Sequence, residues 1–336
     1  MRAVALTQYL PINHPEALFD IELPKPAAPQ GRDLLVRISA IAVNPVDYKV
    51  RAPKDKVESS PRILGWDAVG IVEAVGSDCR LFQPGDRVYY AGDITRPGCN
   101  AEYQLVDERI VGRAPASLDD AQAAALPLTA ITAWEALFDR LAIHRDGSAA
   151  GKTLLIIGGA GGVGSIAIQL AKLAGLRVVA TASRPESADW CRALGADVVI
   201  EHGAALLAAA KAHGPYPYIF CTSDTDSYFA AMSELVAPQG KIVTIVEASQ
   251  PHPIELLKAK SASLHWEMMF TRSMFQTEDM QAQHALLNEV AALIDAGQLR
   301  TTLGEVLGTI NAANLRRAHA QLEAGRTIGK LVLAGF

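Results

Sequence analysis

Cysteine is scarce in this chain: four in 336 residues, at positions 79, 99, 191 and 221. They are too few and too scattered for a disulfide framework, and none stands in a CxxC pair. A reducing cytoplasm is the compartment expected for such usage. An excess of charge of one sign is also missing. The 31 Lys and Arg against 36 Asp and Glu leave a net charge of −5, which offers no electrostatic footprint for nucleic acid or an anionic membrane. Long hydrophobic runs are absent too. The longest apolar stretch, Leu154 to Ile168, is broken by glycines and falls short of the roughly 20 residues a bilayer span needs. The opening MRAVALTQYL lacks the apolar core after a basic start that marks a secretory leader. What is present is ordinary globular usage, half hydrophobic and one fifth charged. That excludes a disordered chain, a coiled coil and a collagen. The length suggests two domains, or one large one.

Three zones differ in texture. Residues 1–125 carry short apolar runs, Leu34–Ile41, Val69–Val75 and Arg87–Tyr90, separated by turns such as Gly76 and Pro84-Gly85-Asp86, a β-rich pattern. Residues 126–262 alternate strand-like and helix-like segments. Strands are expected at Thr153–Ile157, Arg177–Thr181, Val198–Ile200, Tyr218–Cys221 and Lys241–Val246. Helices are expected at Gly162–Ala174, Glu186–Leu194 and 225–236, with Gly175 and Gly195 as stops for the first two. This βαβαβ alternation predicts a parallel, doubly wound sheet. Residues 263–336 read as a strand at Leu264–Trp266, helices at 279–296 and 312–324, and a closing strand at Lys330–Leu333.

The strongest local signal is IIGGAGGVGSIAIQLAK, residues 156–172. Gly159-x-Gly161-x-x-Gly164 follows a predicted strand and opens a predicted helix, the context a dinucleotide fingerprint requires. The backbone of Gly159, Ala160, Gly161, Gly162, Val163 and Gly164 would then approach a pyrophosphate held at the positive helix N-terminus. A glycine-rich turn made only for close helix–sheet packing is the alternative. The end of the next strand bears on cofactor choice. An NAD site places Asp or Glu about 20 residues on, to bond the ribose 2′-hydroxyl. Here Ala182, Ser183 and Arg184 follow the strand, and the first acid is Glu186. A hydroxyl and a guanidinium suit a 2′-phosphate, so NADPH is the expected cofactor.

Together with Asn44-Pro45-Val46-Asp47, Gly65-Trp66-Asp67-Ala68-Val69-Gly70, Gly85-Asp86-Arg87-Val88, Asn100-Ala101-Glu102-Tyr103, Leu128-Thr129-Ala130 and Gly329-Lys330, this loop resembles the medium-chain dehydrogenase/reductase superfamily over essentially the whole chain. The likeness is strongest to its zinc-free quinone oxidoreductase branch and to the group labelled zinc-type alcohol dehydrogenase-like. The resemblance implies an α/β protein. A GroES-like β-rich catalytic domain, residues 1–125 completed by 263–336, is split around a Rossmann domain with a doubly wound parallel sheet, residues 126–262. The resemblance also places the active site in the cleft between them and implies a homodimer. The sheet edges near Tyr216–Cys221 and Lys241–Val246 are the expected contact.

Zinc relatives use a Cys near the position of Asn44, a His-Glu pair after Gly65, and a further Cys or Asp in mid-chain. This chain has Asn44 there, and Trp66 and Asp67 after Gly65. Only eleven residues separate Val88 from Asn100, with Cys99 the sole cysteine among them, so the four-cysteine structural lobe is missing too. No metal is expected. Without a Lewis acid, hydride transfer to a quinone or an α,β-unsaturated carbonyl is easier than oxidation of a simple alcohol. By resemblance, Asn44 and Thr129 flank the nicotinamide and its ribose, with Asn44 also counted among the catalytic residues, His202 lies near the adenosine phosphate, and Lys330 faces the cleft as a further cofactor-binding residue. Relatives often carry a tyrosine two residues after the acid matching Asp47. Here Lys49 stands in that place and Tyr48 one place earlier, so Tyr48 as proton donor, Lys49 as electrophile and water as proton source all remain open. Trp66 and Trp134 are read as core, and Met268-Met269-Phe270 as an apolar loop or buried packing. The segments Arg51–Arg62 and Ile94–Gly98 are read as loops shaping the substrate pocket. A zinc alcohol dehydrogenase and a nucleotide-binding protein without turnover are the competing readings.

Overall fold

The computed structural model describes residues 1–336 and divides them between two units, Met1–Leu128 with Phe270–Phe336, and Thr129–Met269. Strands β1 (Arg2–Tyr9), β2 (Phe19–Glu22), β3 (Asp33–Val43), β4 (Lys54–Ile63), β5 (Ala68–Val75), β6 (Arg87–Tyr90), β7 (Tyr103–Asp107) and β8 (Val111–Arg113) lie in the first unit. The second holds β9 (Thr153–Ile157), β10 (Arg177–Ala182), β11 (Val198–Glu201), β12 (Tyr216–Cys221), β13 (Val236–Thr244) and β14 (Ser263–Trp266). Strands β15 (Leu303–Val306) and β16 (Lys330–Ala334) return to the first.

The first unit is β-rich, as its sequence texture predicts. Its larger sheet runs β15-β16-β3-β5-β6-β8, with β7 also paired to β3. Strand β3 is its hub. It is the longest strand of this sheet at eleven residues, and most of them are buried. The closing strand β16 lies antiparallel on β3 with Leu331 opposite Val43. The chain's end is thereby brought beside the Asn44 segment. A second sheet, β2-β1-β4, covers the N-terminal strand. Its member β4 corrects the loop expected at Arg51–Arg62. KDKVESSPRI is mostly exposed and shows no apolar alternation. It pairs with β1 all the same, because Tyr9 of β1 holds it: the Tyr9 hydroxyl meets the Glu58 carboxylate, and the Lys54 ammonium lies 4.0 Å from the ring centroid.

The second unit is a six-stranded parallel sheet in the order β11-β10-β9-β12-β13-β14. In chain order that is 3-2-1-4-5-6, the doubly wound arrangement, with its switch point between β9 and β12. Two expectations are corrected here. Strands β12 and β13 are interior, each hydrogen-bonded on both sides, so the sheet edges are β11 and β14. A segment boundary at 263 would also cut β14 from this sheet, and the unit runs through Met269. The expected strand-and-helix alternation is otherwise present. The helix Gly162–Leu173 packs on β9 and β10, and Phe229 and Met232 of the helix Thr225–Leu235 are buried in the core under β9 and β12. The helix Pro127–Trp134 runs on into a π-helical stretch, Glu135–Arg140, which the sequence did not announce.

Candidate nucleotide-binding and reaction site

In the second unit, β9 ends at Ile157 and a glycine loop leads into the helix Gly162–Leu173. Three contacts shape the loop. Gly158 has φ +92° and donates its N–H to Thr181 Oγ1 at 2.9 Å. Gly159 donates to the Thr181 carbonyl at 3.0 Å. A Cβ on Gly164 would stand 2.3 Å from the Gly158 carbonyl oxygen, so the helix can pass this close to the loop only with glycine there. Gly161 is different. A Cβ there would meet nothing nearer than 3.8 Å. The fold therefore has no steric need for glycine at 161, while a pyrophosphate pressed on the loop would have one. Gly161 is the helix N-cap and supplies no side-chain cap, leaving first-turn N–H groups and the positive dipole end for an anion. The loop fits a dinucleotide.

The fingerprint reading omitted Gly158, the one glycine of the loop with positive φ. It also missed Thr181 and Thr222. Thr222 Oγ1 donates to the carbonyls of Ile157 and Gly158, at 2.9 and 3.1 Å, across the switch point. A run of five glycines in seven residues does not say which one carries the turn. Nothing in the sequence marks either threonine.

At the end of β10, Ser183 is exposed and Arg184 half-buried at the N-cap of the helix Pro185–Ala193. Ser187 Oγ donates to the Arg184 carbonyl at 2.8 Å, which fixes the backbone there. His202 has an internal partner, with Nδ1 2.7 Å from Thr181 Oγ1. Thr181 Oγ1 also accepts the Gly158 N–H, so this hydroxyl links the glycine loop to the imidazole. Burial lowers the pKa of this imidazole. Thr129 is buried. Trp134 is half-buried rather than core, with the Arg145 guanidinium 4.6 Å from its ring. Met268 is half exposed, while Met269 is buried. The unit also holds an acid pair the sequence reading passed over. Glu135 and Glu267 are both buried, and Arg140 Nε lies 2.8 Å from Glu267. Burial, and then the neighbouring Glu135 carboxylate, push Glu267 up.

In the first unit Asn44, Asp47, Asp67 and Lys330 are all buried. Lys330 Nζ donates to Asn44 Oδ1, to Asp67 Oδ2 at 2.9 Å and to the Val43 carbonyl at 3.1 Å. Its three protons meet three acceptors inside the unit. Asn44 Nδ2 donates to Asp67 Oδ2 at 2.8 Å, and Asp67 Oδ1 accepts the Leu128 N–H at 2.8 Å. Burial pushes the Asp67 carboxyl up, against the pull of the Lys330 ammonium and of its hydrogen-bond donors. Asp47 Oδ2 accepts the Asn44 N–H at 2.6 Å, and Oδ1 is buried without a partner. Burial pushes Asp47 up to about 7.

This donor set does not fit catalytic zinc. It offers an amide, a carboxylate already bound to an ammonium, the Asp47 carboxyl and the Cys99 thiol, both pushed toward their protonated forms by burial, and Trp66, where zinc needs three Cys, His or carboxylate ligands and an open position. Trp66 is buried, with its indole N–H on the Asp93 carbonyl and its ring edge-on to Phe270. No group of three or more His, Cys, Asp or Glu side chains is arranged so that it could hold a metal ion.

Tyr48 and Lys49 part company. Lys49 is exposed in the last turn of the helix Pro45–Arg51. Tyr48 is half-buried and lines an open cavity of about 440 Å³ with Ile12, Pro53, Arg51 and Glu323. Arg51 is itself buried. It donates from Nε to His319 Nδ1 at 3.3 Å, from Nη1 to the Leu10 carbonyl at 2.5 Å, and is ion-paired to Glu323. Burial, and then the Glu323 carboxylate, raise the pKa of the Tyr48 hydroxyl.

Comparison with known proteins follows this geometry. Residues 30–116 match the alcohol dehydrogenase GroES-like domain, and residues 194–333 the zinc-binding dehydrogenase family. A zinc-type alcohol dehydrogenase-like protein of Staphylococcus aureus (strain COL) is 44% identical over 317 residues, covering 94% of this chain and 95% of that protein. The 2-methylene-furan-3-one reductase of Solanum lycopersicum is 41% identical over 180 residues, half of this chain and 44% of that one. A crystal structure from Rhizobium etli CFN 42, assigned there to the zinc-dependent alcohol dehydrogenases, superposes with TM-score 0.95 at 52% identity, covering 100% of this chain and 98% of that one. The quinone oxidoreductase of Coxiella burnetii gives 0.82 at 27%, over 100% and 99% of the two chains. A mycobacterial structure complexed with NADPH gives 0.82 at 26%, over 99% of each chain.

The Asp47 carboxyl makes stability depend on pH. Its folded pKa of about 7 exceeds the 3.8 of a free aspartate. The native chain therefore keeps a proton that the unfolded chain has lost, and stability falls as pH rises from about 4 to about 7. Asp47→Asn should flatten this decline in a series of thermal midpoints against pH. Parallel profiles for the two proteins would show that Asp47 is ionised when folded.

Proposed function

The chain belongs to the medium-chain dehydrogenase/reductase superfamily, among its zinc-type alcohol dehydrogenase-like members, and on that premise we propose that it is an NADPH-dependent, zinc-free reductase of quinones or α,β-unsaturated carbonyls. The observation that carries the reading is the buried Asn44–Asp67–Lys330 cluster, in which Asn44 and Asp67 occupy positions that, by the sequence resemblance, correspond to zinc ligands. With no fitting Lewis-acid site, the chemistry best served is hydride transfer to an acceptor that is already electron-poor. Two relatives support it, the enone reductase and the quinone oxidoreductase.

When bound, NADPH supplies the hydride. The N–H groups at the start of the helix Gly162–Leu173 hold the pyrophosphate, and Ser183 with Arg184 hold the 2′-phosphate. Asn44 and Thr129 orient the nicotinamide and its ribose. The acceptor gains two electrons and one hydrogen and then needs a proton. Tyr48 carries one at neutral pH, as any phenol does, and it faces a cavity. Exposed Lys49 does not line that cavity. The homodimer belongs to the same proposal, with the half-exposed Trp266 on edge strand β14 as the contact.

Three measurements test this. In an NADPH-oxidation screen, quinones and enones should turn over and simple ketones should not. Tyr48→Phe should lower kcat by about 10²-fold, the lower end of general acid catalysis, with Lys49→Met near normal. Normal rates in both would assign the proton to water, and no turnover of any acceptor would favour a non-catalytic binder. For the cofactor, Arg184→Ala should raise KM for NADPH by roughly ten- to a hundredfold, the loss of one hydrogen bond to a charged group, and leave NADH almost unchanged. Equal losses for both cofactors would remove the 2′-phosphate assignment. Sedimentation should give twice the chain mass, falling to the chain mass in Trp266→Lys. A monomeric wild type would remove the dimer.

A further inference from the structure

The Lys330 ammonium sits in a nest made wholly of oxygen: Asn44 Oδ1, Asp67 Oδ2 and the Val43 carbonyl. Each acceptor is itself oriented. Asn44 is turned by its amide donating to Asp67 Oδ2 and to the Trp66 carbonyl, and Asp67 by the Leu128 N–H. A second carboxyl, Asp47, lies within electrostatic reach of both Lys330 and Asp67 and has one buried oxygen without a partner. Two buried carboxyls thus face one fixed positive charge. Removing that charge would leave the Asp67 carboxylate uncompensated away from water, with the Asp47 carboxyl beside it, a strongly unfavourable state.

We infer that Lys330 is the resident cation of this site. It balances the carboxylate charge and ties the chain together, and it closes the nest to metal while it is there. The inference rests on the zinc-free reading above. It carries a consequence about ligand chemistry. With Lys330 removed, the remaining donors are carboxylate, amide and carbonyl oxygens, a set that suits a hard divalent cation such as Mn²⁺ or Mg²⁺.

The test uses the full chain as wild type, Lys330→Met and Lys330→Met/Asp67→Asn. Metal content is measured after dialysis against Zn²⁺ or Mn²⁺, and thermal midpoints are measured with Mn²⁺ or with chelator. Wild type should hold substoichiometric metal and melt identically in both. Lys330→Met should melt roughly 5–10 °C lower, the scale of breaking a buried ion pair. Mn²⁺ should restore much of that loss with one ion bound per chain. The double variant should recover the midpoint without Mn²⁺ and ignore the ion.

A Lys330→Met protein that melts like wild type and binds no Mn²⁺ would overturn the inference. So would a double variant that stays as unstable as the single one, an outcome still readable if the single variant fails to fold. One tightly held zinc per wild-type chain, with NADPH-dependent turnover lost to chelator, would overturn the zinc-free reading itself. A zinc-free, active wild type beside an indifferent Lys330→Met would overturn only the role given to Lys330.

Discussion

The contact of Lys330 with Asp67 and Asn44 is the constraint on which the first unit's site depends. It joins stretches far apart in sequence: the turn entering the helix Pro45–Arg51, the segment before β5, and the first residue of β16. Through Asp67 Oδ1 it also holds the backbone N–H of Leu128, one residue before Thr129. A buried ion pair adds little net stability compared with apolar packing. Its contribution here is geometric. Each oxygen has an assigned donor, so Asn44 has one amide orientation and the chain before Thr129 one position. The sheet makes this possible, since β16 lies antiparallel on β3 and delivers Lys330 beside Val43.

The second unit meets a different constraint, passing a helix start close against a tight loop, and it does so with few side chains. Gly158 makes the turn and Gly164 lets the helix approach. Thr181 and Thr222 then fasten the loop to the ends of β10 and β12. The two threonines flank β9 on either side, so the loop is braced from both neighbouring strands at the point where the sheet reverses direction.

Much of this was legible in the residues, for a physical reason. Alternation of period 2 and period 3.6 marks elements whose faces are buried, and β3, β9, β10 and the helix Gly162–Leu173 all have them. Strand β4 was missed because it is polar along its length and owes its pairing to Tyr9, a partner some 50 residues away. The sheet edges were misplaced because strand order is a property of crossovers, which periodicity does not encode. At the site, the glycine fingerprint was readable because its chemistry is local. The nest around Lys330 was not, since its parts lie more than 260 residues apart and meet only through sheet pairing. The same limit applies to Tyr48. Residue type nominates it as an acid, while its surroundings, burial first and then Glu323 from a helix at the far end of the chain, raise its pKa.

The four cysteines acquire a meaning that their scarcity alone did not suggest. All are buried, and burial raises the pKa of every one, to about 11 for Cys191 and about 12 for Cys221. Thiolate is the nucleophilic form, so at neutral pH these sulfurs are both hidden and chemically quiet. Quinones and enones are electrophiles that alkylate thiolates by conjugate addition. A catalyst for such compounds meets them at high local concentration on every turnover. With no accessible thiolate of its own, this chain would be spared inactivation by such electrophiles if they are its substrates, as proposed above.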